Sequence, residues 1–209
     1  MTDAARFQLG GLAFFLLIVI PVFFFLKRRR ESDWRLVLSI LGIWVIWNLI
    51  HAPVHEGSHF LGGLLVGQHA KDYRLIQHFW EGDFVNGYIS WESGTRAQYR
   101  VSTLAPYAID ALMVLFGFLL LRWPNRLSPF LGALVLMVTF LRPIFDVATN
   151  YAPDTILGGA GDVRFLLWVY PRWAVHLYAW LLMLVAAGGA IFEIWKATPG
   201  TRVTPPASA

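Results

Sequence analysis

The chain has no cysteine. Disulfides and thiolate metal sites are therefore excluded, and any metal ion must be held by histidine and carboxylate side chains. Charge is scarce as well: Asp, Glu, Lys and Arg make up 14% of the 209 residues, and the formal net charge is only +4. So thin a basic excess reads as membrane topology and not as the footprint of a nucleic-acid-binding protein. No internal repeat is evident, and the one biased segment is the end, "TPGTRVTPPASA", which marks 196–209 as a disordered cytoplasmic tail.

Apolar residues fill what remains. Hydrophobic types reach 57%, with 16 Phe and 10 Trp, and several runs approach the roughly 18 to 20 residues that cross a bilayer. Spans are expected at 9–26, 36–66, 104–121, 128–149 and 173–194, giving an all-α polytopic membrane protein of about five helices in a single domain, 1–195. The first run is a retained span, since its basic cluster Lys27, Arg28, Arg29 and Arg30 follows the apolar stretch, whereas a secretory signal carries its charge in front. With five spans, that cluster falls on the same side as Arg122, Arg126, Lys196 and Arg202. The positive-inside rule makes that side cytoplasmic. The N-terminus is then extracytoplasmic, and the loops 67–103 and 150–172 lie outside, the longer one balancing its bases with Asp72, Glu81, Asp83 and Glu92.

The second span carries "HAPVHEGSHF", residues 51–60, between two apolar stretches. Ionisable groups in that setting must be paired, metal-bound or facing water. His55, Glu56 and His59 form H-E-x-x-H: two imidazoles one helical turn apart can bind one Zn²⁺, and the glutamate beside them can accept a proton from the activated water. The blander alternative is an interhelical hydrogen-bonding cluster. Pro53 removes one helical hydrogen bond and should kink the long segment. His51 is also one turn from His55, but Pro53 and the crowding of three successive imidazoles make it a polar contact at the bend, not a ligand.

The stretch "HEGSHFLGGLLVG" resembles the site-2 protease-like intramembrane zinc metalloproteases of compact bacterial type, although Gly57 and Ser58 stand where that family usually has a glycine directly before the second histidine. "STLAPYAIDAL", 102–112, is similar to the family's small-residue, Gly-Pro, Asn-containing helix, with Ala105, Pro106 and Asp110 in its place. "FWEGDFVNGYISWESGTRAQYRV" reads as short strands about an Asn86-Gly87 turn, in the position where the family has an extracytoplasmic β-hairpin that holds unwound substrate by strand addition. The resemblance implies an integral protein of a bacterial inner membrane that hydrolyses peptide bonds of membrane-embedded or membrane-adjacent substrates, with Zn²⁺ as cofactor, His55 and His59 as ligands and Glu56 as general base.

A third ligand is required, and two residues compete for it. Asp162 follows "ILGGAG" and looks like the family's glycine-flanked aspartate; Asp146, in "LRPIFDVATN", resembles its Pro-x-x-Asp segment, although Arg142 one turn earlier could simply neutralise it. His176 and Asp110 are weaker candidates. Other functional readings are a catalytically inactive scaffold or transporter-associated subunit, and a His-box membrane lipid enzyme, for which six histidines are few. The expected orientation is checked by placing a single cysteine at Glu92 in this cysteine-free chain. It should react with a membrane-impermeant reagent from the extracytoplasmic side, and reaction only after the inner leaflet is permeabilised would reverse the topology.

Overall fold

The computed structural model describes residues 10–76, 87–120 and 127–197. The tail expected to be disordered lies outside these residues from 198 onward, as does Asn86 of the expected turn. Among the described residues, five helices are long and apolar enough to cross a membrane: α1 (Gly10–Arg28), α2 (Asp33–Leu65), α3 (Arg96–Leu120), α4 (Pro129–Ile156) and α6 (Arg172–Lys196). A short helix, α5 (Asp162–Val169), lies between α4 and α6. Large apolar side chains such as Phe24, Leu41, Leu115, Leu184 and Ile191 are exposed along these helices, the surface that an integral membrane protein presents to lipid.

Each expected span is present, and the ends differ for identifiable reasons. The third span begins at Arg96, eight residues before the expected start at 104. "TRAQ" is a capping box: the Gln98 N–H donates to Thr95 Oγ1 at 3.3 Å, and the Thr95 N–H donates to Gln98 Oε1 at 2.8 Å. The residues from Arg96 to Val101, expected in strand, are therefore helical. α4 opens with Ser128 accepting the Leu131 N–H and Pro129 in the first turn, and it runs past the expected end at 149 to Ile156. α2 continues through Pro53. At 33 residues it is about 50 Å long, more than the roughly 30 Å of bilayer hydrocarbon, so it tilts or emerges at one end.

Two strands, β1 (Ala70–Arg74) and β2 (Tyr88–Trp91), form a small antiparallel sheet after α2, with Arg74 opposite Tyr88 and Ala70 opposite Trp91. β2 directly follows Gly87 as the turn signal suggested, but its partner is the polar segment 70–74, which no strand pattern had marked. The sheet rests on the last turns of α2, where Trp91 lies against Gly63 and its ring stacks near Phe60 with centroids 6.5 Å apart.

α4 is the central helix. In its apolar stretch 67% of residues are buried inside the protein, against 22–33% in the other four spans. A π-helical turn, Met137–Leu141, interrupts α4 just before Arg142. Phe140, fully buried, meets Phe118 edge-on at 5.0 Å and packs against the bare backbone of Gly117 and Gly189. Neighbouring glycines on α6 thus give an internal control: a side chain at Gly189 collides with Phe140, whereas one at Gly188 meets nothing within 4 Å. Gly189→Leu should destabilise the fold by about 1–3 kcal/mol. Thermal unfolding in detergent should show this loss and no comparable effect of Gly188→Leu.

Candidate metal centre

His55 and His59 lie on one face of α2, six to ten residues before its C-terminal end, and both are buried. Their outer nitrogens are tied down by neighbouring helices. His55 Nδ1–H donates to Asp146 Oδ2 of α4 at 2.8 Å, and His59 Nδ1–H donates to the carbonyl of Ser102 in α3 at 2.8 Å. With Nδ1 protonated, each ring turns its Nε2 inward. The two Nε2 atoms are 3.2 Å apart. Asp162 Oδ2, from the first residue of α5, lies 2.8 Å from His59 Nε2 and 3.4 Å from His55 Nε2.

Three donor atoms therefore converge from α2 and α5, and two of them are imidazole lone pairs facing a carboxylate. Such an arrangement demands a cation or added protons between the atoms. Tetrahedral zinc with bonds of roughly 2.0–2.1 Å would set its ligand atoms about 3.3 Å apart, close to what is observed. His55, His59 and Asp162 can hold a metal ion together. Anchoring each ligand histidine through its other ring nitrogen, one by carboxylate and one by a backbone carbonyl, is the outer-shell pattern of histidine metal sites.

The surrounding charges are consistent with this. Asp146 also accepts hydrogen bonds from Asn150 Nδ2 at 3.1 Å and Arg142 Nη2 at 3.4 Å, and the fully buried Arg142 pairs with the fully buried Asp110. Two carboxylates, Asp110 and Asp146, thus share one guanidinium while Asp162 faces only the two imidazoles, and a divalent cation on the histidine side would balance the group. Burial alone would raise the Asp162 carboxyl, but contact with the two imidazoles more than offsets that and holds it below the usual carboxylate range.

Of the competing third-ligand candidates, Asp162 alone touches both Nε2 atoms. Asp146 sits behind His55 on the outer nitrogen, and it is not merely neutralised by Arg142. Asp110 is committed to Arg142, and His176 Nδ1 pairs with the Tyr151 hydroxyl at 2.7 Å. His51 stacks on Trp47 with centroids 4.6 Å apart and meets Phe145 edge-on at 5.0 Å, so the polar contact expected of it is an aromatic one.

Ser102 had no place in the sequence reading, yet a signal for it existed. Pro106 has no N–H to give the carbonyl four residues earlier, and that carbonyl is Ser102's, which is left free for His59. Gly62 lets α3 come close enough, for a Cβ there would stand 2.7 Å from the Ala105 Cβ and 3.2 Å from the Ser102 Cα.

One side of the cluster is open. A cavity of about 300 Å³ is lined by Glu56, His59 and Asp162 together with Tyr88, Trp91 and Thr103, so Glu56 shares the space in front of the donors without being one of them. The sheet roofs this cavity: a Cβ on Gly87 would lie 2.6 Å from the Glu56 Cγ.

Comparison of the chain with protein families, with curated proteins and with solved structures finds no match in any of the three. The site's geometry therefore carries the functional argument. Because the Asp146 bond orients His55, Asp146→Asn should weaken divalent-metal binding roughly tenfold to a hundredfold, and His55→Ala should abolish stoichiometric binding. Competition with a chromogenic chelator in detergent measures both.

Proposed function

We propose that this protein is an intramembrane zinc metalloprotease similar to the compact bacterial site-2 proteases. The observation that carries the reading is the convergence of His55 Nε2, His59 Nε2 and Asp162 Oδ2, the last two residues lining a cavity that Glu56 also lines. Three protein donors with an open side are the arrangement of a catalytic zinc site, whereas structural zinc sites are closed by four. A zinc ion held there would supply a Lewis acid for the scissile carbonyl and lower the pKa of a water toward neutrality.

The chain's own residues divide the remaining work. Glu56 neighbours His55 in sequence but faces the cavity, so its carboxylate is free to take the proton from the attacking water and return it to the leaving amine. Asp146 and the Ser102 carbonyl keep the two imidazoles in the tautomer that leaves Nε2 unprotonated. β2 pairs on one edge with β1, and Tyr88, Ile89 and Trp91 line the cavity. An unwound peptide lying along β2 would carry its amides past Glu56, which fits a substrate that is a membrane-embedded or membrane-adjacent segment.

The site lies at the end of the bundle opposite the Lys27–Arg30 cluster, hence near the extracytoplasmic face if the basic side is cytoplasmic, as in a bacterial inner membrane. A histidine-rich di-iron lipid enzyme draws no support, because His51 and His176 are engaged elsewhere and His69 is exposed beyond the end of α2.

The decisive experiment is Glu56→Gln. It keeps the size and hydrogen-bonding capacity of the side chain but cannot take up the proton. Zinc content should stay at the wild-type level while cleavage of a membrane-anchored reporter peptide falls at least a hundredfold, within the range by which general base catalysis contributes. Cleavage at the wild-type rate with zinc retained would remove Glu56 from the chemistry and the protease reading with it.

A further inference from the structure

Asp162 is the only donor of the cluster that does not come from α2, and it sits at the start of a helix of eight residues. So short a helix has little stability of its own. Something must hold its first turn, or the Asp162 carboxylate would not stay 2.8 Å from His59 Nε2.

The residue before it cannot do so, since Gly161 occupies the N-cap position and has no side chain to offer. The exposed N–H groups are taken from elsewhere. Asp154, on the last turn of α4 and 4% exposed, accepts the Gly161 N–H on Oδ1 at 2.9 Å and the Arg164 N–H on Oδ2 at 3.0 Å. In a capping box two side chains satisfy the N–H groups of the N-cap residue and of the third helical residue. Here one carboxylate satisfies both, from seven residues upstream, and the two bonds bracket Asp162.

The intervening loop is shaped around that carboxylate. α4 terminates at Gly158 in the left-handed conformation, φ +70°, which reverses the chain immediately. A Cβ at Gly161 would then stand 2.9 Å from an Asp154 oxygen, so the backbone can wrap the carboxylate only without a side chain there.

We propose that Asp154 is the positioning residue of the metal centre: by taking the N–H groups on either side of Asp162 it fixes that residue as the third ligand. The assignment rests on the metal-binding reading of His55, His59 and Asp162. It gives the "PDTILGGAGD" segment a single purpose, to carry a carboxylate from the end of α4 back to the face of α2. Because charge-assisted bonds to N–H groups are strong and the groups are partly buried, their loss should let the first turn of α5 fray and take Asp162 with it.

The test is titration of metal-free protein in detergent with Co²⁺, followed by displacement with Zn²⁺, on wild type, Asp154→Asn, Gly161→Ala and His55→Ala. Co²⁺ reports coordination through its visible absorption, independently of any cleavage. Asp154→Asn replaces one acceptor by an NH₂ that opposes a backbone N–H, and Gly161→Ala crowds the carboxylate without removing it. Both should weaken Zn²⁺ binding at least tenfold and reduce or shift the Co²⁺ bands, with metal-free thermal unfolding close to wild type. A purely structural role would lower the unfolding temperature and leave affinity and spectrum of the folded protein unchanged. Wild-type affinity and spectrum in Asp154→Asn overturn the assignment, and if that variant does not fold, the same result in Gly161→Ala overturns it. Failure of the wild type to bind either metal would instead remove the metal-binding reading, and the assignment with it.

Discussion

An ionisable side chain inside an apolar helix bundle costs several kcal/mol unless a partner is built in beside it, and the bond from His55 Nδ1 to Asp146 is where this protein meets that requirement. The bond does more than neutralise. It selects the tautomer that turns Nε2 of His55 toward His59, and it ties α2 to α4. Asp146 is in turn steadied by Asn150 and Arg142, and Arg142 reaches across to Asp110 on α3. Three helices are joined by one polar chain. Removing any member would leave a buried charge uncompensated, which is more damaging than never having placed it there.

The other half of the site is made from backbone that regular helices would have consumed. The Ser102 carbonyl is available because Pro106 withholds an N–H, and the first turn of α5 is held by Asp154 because Gly161 has no side chain. At Ser102, which is buried, the freed carbonyl is tolerated because His59 satisfies it. With an N–H at position 106, the Ser102 carbonyl would be used within α3 and would offer His59 no anchor. The π-helical turn Met137–Leu141, directly before Arg142, belongs to the same pattern, as such turns often accompany functional sites.

The two sides of the cluster have different characters. Toward α3 and α4 it is closed by hydrogen-bonded, fully buried groups; toward the sheet it opens on a cavity containing Glu56. A rigid wall and an open front suit chemistry on a guest molecule, since the donors are held still while the space before them can be filled. The sheet covers that space, and its docking depends on small contacts at the end of α2, chiefly Trp91 against Gly63.

Much of this was legible in the chain itself. Each span announced itself by its length of mainly apolar residues, and the i, i+4 spacing of His55 and His59 was sufficient to place two imidazoles on one face, because both properties belong to a single helix and need no neighbour. The helix start at Thr95 was also written locally, in "TRAQ", but it stood in a polar stretch that the Asn86-Gly87 turn signal made look like the second arm of a hairpin. The partner of β2 was different: the segment "AKDYR" has no apolar alternation to reveal it, and pairing with Tyr88–Trp91 is decided between segments. The choice between Asp162 and Asp146 was likewise open, since both are aspartates near a segment end at the same level. Only the packing of α4 and α5 against α2 separates them, setting Asp162 at the inner nitrogens and Asp146 at an outer one, across 103 and 91 residues of sequence. Local spacing determines what a helix can offer; which of its nitrogens meets a ligand and which meets a support is determined by neighbours that only the folded chain brings together.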